Sequence, residues 1–228
     1  MIEVDLATAS RRDLNQRLHA LPKNGEHTRW TVLHPEGQHA LAVGLDALAT
    51  VEIRGHAGYY CAGMNKQAVV VVDGHGGVGV AENMMSGRVH VKGDASQAAG
   101  ATAHGGLLVI DGNASARCGI SMKGIDIVVK GSIGPMSAFM AQSGRLVVLG
   151  DAGDALGDSI YEARLYVRGT VKSLGTDCIE KEVRKEHLEE LSLLLAAAGV
   201  EGVRPEEFKR YGSARTLYNF HVDNAGAY

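Results

Sequence analysis

Several features that would place a chain in a known class are scarce here. There are three cysteines, Cys61, Cys118 and Cys178, widely spaced and with no Cys-x-x-Cys pair. That excludes a disulfide framework and a zinc or iron-sulfur cage, and it leaves buried free thiols. Positive charge is not in excess: 23 Lys and Arg stand against 26 Asp and Glu, a net charge of −3, so no footprint for nucleic acid or an anionic membrane is present. The longest apolar runs, such as 68–72 and 191–198, fall far short of the roughly 20 residues that cross a bilayer. Residues 1–12 carry Glu3 and Asp5 before any basic residue and lack the apolar stretch of a secretory signal, so the expected location is cytoplasmic. Proline, with 4 residues, and aromatics, at 5%, are also rare, although 228 residues suffice for a large core.

Glycine is abundant, with 30 residues, and 23 of them lie between Val51 and Gly175. Gly55, Gly74, Gly93, Gly112, Gly131, Gly150 and Gly169 follow one another at intervals of 19 residues, without insertion or deletion over seven copies. Such a period is settled before any other feature is read. Ahead of each glycine runs a short apolar segment, from Val51-Glu-Ile53 and Val70-Val-Val72 to Leu165-Tyr-Val167. The positions four and two before the glycine are Val, Ile or Leu in every copy, which a strand's period of two puts on one face. Fourteen aliphatic side chains therefore line one interior.

The rest of each repeat is too long for a hairpin loop, which favours parallel neighbours. It is also too rich in Gly, Ala, Ser, Asn and Asp for a helical crossover. The pattern predicts an all-β solenoid, a single-stranded right-handed parallel β-helix of about seven 19-residue turns with terminal α-helices. Gly58, Gly77, Gly134 and Gly153 recur three residues after the repeat glycine, and Gly100, Gly119 and Gly157 seven after it. Their expected work is to supply positive φ and to let corners of adjacent turns approach. A phosphate-cradling fingerprint would need one strand feeding one helix, and no helix follows here.

Three regions are expected: an N-terminal helix and strand cap over 1–50, the β-helix over 51–176, and C-terminal helices with a docking tail over 177–228. Ser10 and Asp13 resemble a capping box ahead of Leu14, Leu18 and Leu21, predicting a helix over 10–21. Strands are expected at Arg29–Leu33 and His39–Leu45. Asp177 with Glu180 is read as the start of a helix bearing Leu188, Leu191, Leu195 and Ala198, stopped by Gly199, and Pro205–Tyr211 as a further short helix. The tail from Tyr218 to Tyr228 carries Tyr218, Phe220 and Tyr228, too many aromatics for a free end, so docking is expected.

Candidate chemistry is thin. His56 and His75 each follow a repeat glycine and should stack, but the same position holds Asp94, Asn113, Ser132, Asp151 and Thr170 in later copies, so turn hydrogen bonding is favoured over a metal pair. Cys61, five residues from His56, is the local nucleophile candidate, with buried packing the favoured reading. Asp73 and Asp111 alternate with Lys92 and Lys130 just before the repeat glycines, predicting a charge ladder. The outward position three before each glycine reads Glu52, Val71, His90, Val109, Val128, Val147 and Tyr166. Its valines call for cover, by a terminal helix of this chain or by another subunit. Met64, Met84, Met122 and Met140 fall nine or ten residues after a repeat glycine and are expected to form a stripe, with Met85 and Met136 in the same connections. Val71, Val109, Val128 and Val147 with those four methionines form the candidate partner interface. No catalytic, cofactor-binding or metal-binding residue is expected in this chain.

The glycine-corner repeat over about 51–180, fullest at Gly150, Gly153 and Gly157, resembles the GXGXG domain that closes the glutamate synthase large subunit. The segments Gly58–Lys66, Glu82–Gly87, Ile120–Asp126 and Tyr218–Asp223 are similar to the free-standing β-helix subunit of N-methylglutamate synthase complexes. That resemblance implies a structural subunit. Its partners would be a type II glutamine-amidotransferase-like subunit and an FMN-containing synthase subunit in a cytoplasmic hetero-oligomer, with FMN, and an iron-sulfur cluster as a further candidate, in the partner. The implied overall reaction joins methylamine and glutamate to N-methylglutamate and ammonia. The alternatives are a generic glutamate synthase GXGXG subunit and the β-helix subunit of a formylmethanofuran dehydrogenase-type molybdenum or tungsten enzyme.

Overall fold

The computed structural model describes residues 1–217. The chain runs through β1 (Ile2–Asp5), α1 (Arg11–His19), β2 (Thr28–Leu33), β3 (Ala49–Ile53), β4 (Val69–Val72), β5 (Arg88–Val91), β6 (Leu107–Ile110) and β7 (Lys123–Val129). It continues with β8 (Ser143–Val148), β9 (Arg164–Val167), β10 (Cys178–Lys181), α2 (Lys185–Ala197), a 3-10 turn at Pro205–Glu207 and β11 (Lys209–Ser213). All eleven strands belong to one sheet, ordered β1 to β9 and then β11 and β10. From β1 to β9 every neighbour is parallel and consecutive in sequence, so the chain winds as a parallel β-solenoid of about seven turns.

The strands of successive turns pair in the register that the glycines set, Val51 opposite Val70, Val89 opposite Leu108 and Ile127 opposite Leu146. The fourteen aliphatic side chains expected inside are all at most 1% exposed. A second line of contact runs two residues after each repeat glycine, where Ala57, Gly76, Ala95, Ala114, Ile133, Ala152 and Val171 bridge from turn to turn.

The corner glycines share the expected work: Gly100, Gly119 and Gly157 have positive φ, and a Cβ on Gly77 or Gly134 would clash with the backbone of the preceding turn. Of the seven repeat glycines, Gly55 alone has a positive φ. The other six are required by proximity: a Cβ on Gly112 would lie 2.4 Å from Asp94 Oδ1 and 2.9 Å from the Gly93 carbonyl group, inside contact distance. Left-handed backbone falls instead five, seven and nine residues after the repeat glycine, and most residues there carry side chains, as at Ala98, Gly100 and Thr102 with φ of 59°, 66° and 54°. This alternation turns a backbone N–H towards the neighbouring turn at each step: Ala98 N donates to Ala116 O at 3.0 Å, Gly100 N to Val80 O at 2.9 Å and Thr102 N to Ile120 O at 2.9 Å. Inter-turn hydrogen bonds thus offset the cost of positions that L-residues otherwise avoid.

The helix expected over 10–21 is present as α1, with Ser10 and Asp13 closing a capping box. Leu14 and Leu18 are buried against the end of the core. Asn15 substitutes for a missing turn, its Nδ2 donating to Ala40 O at 2.7 Å and its Oδ1 accepting from Ala42 N at 3.0 Å. The expected strand at Arg29–Leu33 forms as β2, but His39–Leu45 is not a strand. With left-handed φ at Ala40, Ala42 and Gly44 it follows the corner path of one more coil. That coil escaped notice because Glu36, not glycine, stands 19 residues before Gly55.

Two C-terminal expectations need correction. Asp177 does not start a helix. Its left-handed backbone leads into β10, and its carboxylate accepts from Ser213 Oγ and from Thr216 N at 2.9 Å. Burial raises the Asp177 pKa, but these hydrogen bonds outweigh it and hold the group at about 2. The helix begins eight residues later. Pro205–Tyr211 is one 3-10 turn followed by β11, which pairs antiparallel with both β9 and β10, because the open edge of β9 offers backbone partners that a short helix would leave unmet. The tail expected to dock lies outside the described residues. None of the helices among the described residues is long and apolar enough to cross a membrane.

Candidate functional site

The corner directly after the repeat glycine is the most ordered polar feature of the chain. His56 Nδ1 accepts from His75 N at 3.0 Å, His75 Nδ1 from Asp94 N at 2.8 Å, and Asp94 Oδ1 from Asn113 N at 2.8 Å. Asn113 Oδ1 then accepts from Ser132 N at 2.9 Å, Ser132 Oγ from Asp151 N at 2.9 Å, and Asp151 Oδ1 from Thr170 N at 2.7 Å. Each side chain caps the same position of the next turn. The residue types vary, but each supplies an acceptor, and this explains why the position is polar throughout. The two imidazoles stack at 4.8 Å, and with Nδ1 accepting, each neutral ring carries its proton on Nε2. Among the described residues no group of three His, Cys, Asp or Glu side chains is placed to hold a metal ion.

The cysteines belong to the core. Cys61, Cys118 and Cys178 are free and buried, and burial pushes each thiol up to about 12. A thiol so raised is a poor nucleophile near neutral pH.

The outer face of the sheet splits in two. Val109, Val128, Val147 and Tyr166 are buried, packed against Leu191, Leu194 and Leu195 of α2, its C-cap Ala198, and Phe208. Three of the four valines offered as a partner interface are therefore covered by this chain's own helix, and only Val71 remains half-buried in the open part. Beside it, Arg54 pairs with Asp73 at 3.4 Å and Lys92 with Asp73 at 3.1 Å, while Lys130 and His90 meet Asp111 at 2.8 and 2.9 Å. The charge ladder exists and extends to Arg54.

The methionines also divide. Met84 and Met122, ten residues after a repeat glycine, are fully buried and leave the candidate interface. Met64 and Met140, nine after it and left-handed, are 46% and 36% exposed. One residue of offset reverses the side chain, so the expected single stripe is an inner column and an outer one. Tyr59, Met64, Met85 and Met140 are among the large apolar side chains that the corners leave open, as is Leu174.

Sequence reasoning missed the residue that fixes α2. Glu190 accepts from Arg164 at 2.6 Å and from the Tyr166 hydroxyl at 2.8 Å and lies 3.3 Å from Arg145, whose guanidinium forks onto Asp126 with two bonds of 2.6 Å. At the other end of α2, Arg88 donates to the Ala197 carbonyl at 2.7 Å. Arg88, Asp126, Arg145 and Arg164 all stand five residues before a repeat glycine, a column visible in the sequence had that offset been aligned. Thirteen helical residues span about 20 Å, close to the roughly 19 Å of four strand spacings between β5 and β9.

These features define a class: a parallel β-solenoid whose polar corners knit its own turns together and whose sheet is half covered by its own helix. No family model matches the chain. It is 66% identical over 225 residues, 99% of each chain, to Protein GlxC of Rhizobium meliloti (strain 1021). The chain belongs to the GlxC family.

Proposed function

We propose that this chain is a noncatalytic structural subunit of a glutamate-synthase-like enzyme. The enzyme we favour is an N-methylglutamate synthase, in which the solenoid holds a glutamine-amidotransferase-like subunit and an FMN-containing subunit in register. The observation that carries this reading is the use made of the polar corners: six consecutive side-chain acceptors are committed to the next turn's backbone. Such a coil is a stiff rod with regularly spaced outer side chains. Holding two reaction centres at fixed separation lowers the entropic part of a transfer between them. The open apolar corners at Tyr59, Met64, Met85 and Met140 and the uncovered sheet around Val71 supply contact surface. The segments that resemble the N-methylglutamate synthase subunit support the particular reaction.

The test is reconstitution of the assembly from the two proposed partners with and without this chain, assaying N-methylglutamate from methylamine and glutamate. Formation at background levels without the chain, restored on adding it, is the expected result. Full activity in its absence overturns the scaffold role, and an assembly that accepts another amine in place of methylamine overturns the particular reaction.

A further inference from the structure

At the C-terminal end of the solenoid lies a cleft of about 430 Å³ that the proposed scaffold role does not use. Its cationic side chains come from separate segments: Arg164 from the start of β9, Lys181 from the end of β10, Arg184 from the residue before α2, and Arg210 and Arg215 from β11 and the segment after it. Two carboxylates, Glu162 and Glu182, share the lining. Arg215 is engaged by Glu162 at 2.8 Å, Arg184 by Glu182 at 3.1 Å and Arg164 by Glu190 at 2.6 Å.

Among the described residues, neither Lys181 nor Arg210 comes within ion-pair distance of a carboxylate. Arg210 is bonded through Nε to the Glu182 carbonyl at 2.9 Å, a neutral partner rather than a carboxylate. Burial pushes the Arg210 pKa down; Tyr166 and Glu186 act against this, and Arg164 and Arg184 add to it. His187, buried at the start of α2, is lowered as well, first by burial and then by Arg210. A fold that gathers like charges around a partly buried guanidinium accepts an electrostatic cost that an anion would remove.

We propose that this cleft binds a compact oxyanion, a small polycarboxylate or a phosphate, with Lys181 and Arg210 as its first contacts. Convergence of cations from several segments on one concave space suits a small ligand gripped from several sides. An extended acidic peptide would call for a row of cations along one edge. The guanidinium fork of Arg210 also matches two oxygens of a carboxylate or phosphate.

The experiment is calorimetric titration of the full-length chain with citrate and, separately, with inorganic phosphate, at an ionic strength of about 50 mM where screening is weak. Saturable binding of at least one is expected, weakening as salt is added, and the arm that binds identifies the oxyanion. The Lys181→Gln/Arg210→Gln double variant should lose at least about tenfold in affinity, whereas Lys92→Gln, on the open sheet face, should lose none. The binding anion should also raise the thermal midpoint of the wild-type chain and not that of the double variant. Should the double variant fail to fold, Lys181→Gln alone carries the comparison, with a loss of about threefold or more expected. Absence of saturable binding of either anion to the wild-type chain overturns the proposal. So does undiminished binding by a folded variant, or capture of an acidic peptide where neither small anion binds.

Discussion

The two halves of the outer sheet face are built from the same repeat and end in opposite states. At the position three residues before the repeat glycine, the late turns carry Val109, Val128, Val147 and Tyr166, which lie fully buried under α2. The early turns carry Glu52, Val71 and His90, half-buried beside the charged pairs of Asp73 and Asp111. The inner face shows no such break, since its aliphatic column runs evenly through both halves. The difference teaches that the inner positions specify the coil, while the outer ones specify what the coil is covered by. One half is committed to the chain's own helix and the other is left accessible.

The harshest way to break this contrast is to release the helix. Leu191→Asp with Leu195→Asp puts two carboxylates against the buried valines, and α2 should detach. Dye binding and light scattering should then report an exposed apolar strip and self-association, with retention of the monomer counting against the account. Next in size is a matched pair of charges on the same column. Val128→Lys should cost about 4 kcal/mol in urea unfolding because it buries an unpaired ammonium. Val71→Lys, in the open half, should cost less than about 1 kcal/mol. Equal costs would erase the distinction between the halves.

Glu190→Gln should weaken the hold on α2 by about 2 kcal/mol, since the two hydrogen bonds from Arg164 and Tyr166 lose the negative charge of one largely buried acceptor. The circular dichroism of the coil should be unchanged. The smallest effect concerns the open half and acid. Burial raises the Asp111 pKa, but hydrogen bonds from Lys130 and His90 outweigh it, so the folded value lies below the ordinary 3.8. A depressed carboxylate contributes stability above its unfolded value, and that contribution is lost as pH falls through the folded value. Asp111→Asn should therefore flatten the decline in stability below about pH 4 and leave the profile at neutral pH parallel to wild type. A variant that declines as steeply as wild type would remove Asp111 from the acid response.

The sequence made the coil legible because every interior position repeats at one interval, and α1 was legible because Ser10 and Asp13 are a local signal. What escaped depends on the chain meeting itself at a distance. Lys209–Tyr211 reads as the end of a short helix, and only the unmet edge of β9 makes it part of a strand. His39–Leu45 alternates apolar and small residues as a strand would, yet Ala40 and Ala42 adopt a left-handed backbone because Asn15 and the next turn supply their partners. Of the candidate interface, Val71 stays half-buried, whereas Val109, Val128 and Val147 find cover under α2. Which agent covered them rested on the length and placement of α2. The role of Glu190 depends on arginines about 26 and 45 residues earlier in the chain, a separation no local pattern reveals. Met64 and Met84 differ by one residue of offset, which in left-handed backbone decides between solvent and core.

The reversal of β11 against β9 also sets the size of the particle. A parallel coil left bare at its final rung would present an incoming copy with the same slanted donors and acceptors that each rung presents to the next, an invitation to head-to-tail polymerisation. β11 runs against β9, so the parallel pattern stops there, and β10, which returns to the direction of the rungs, is only four residues long and carries Glu180 and Lys181, the short charged edge that discourages a further strand. The chain thereby terminates its own template, and a fold whose logic is endless repetition yields an object of fixed length.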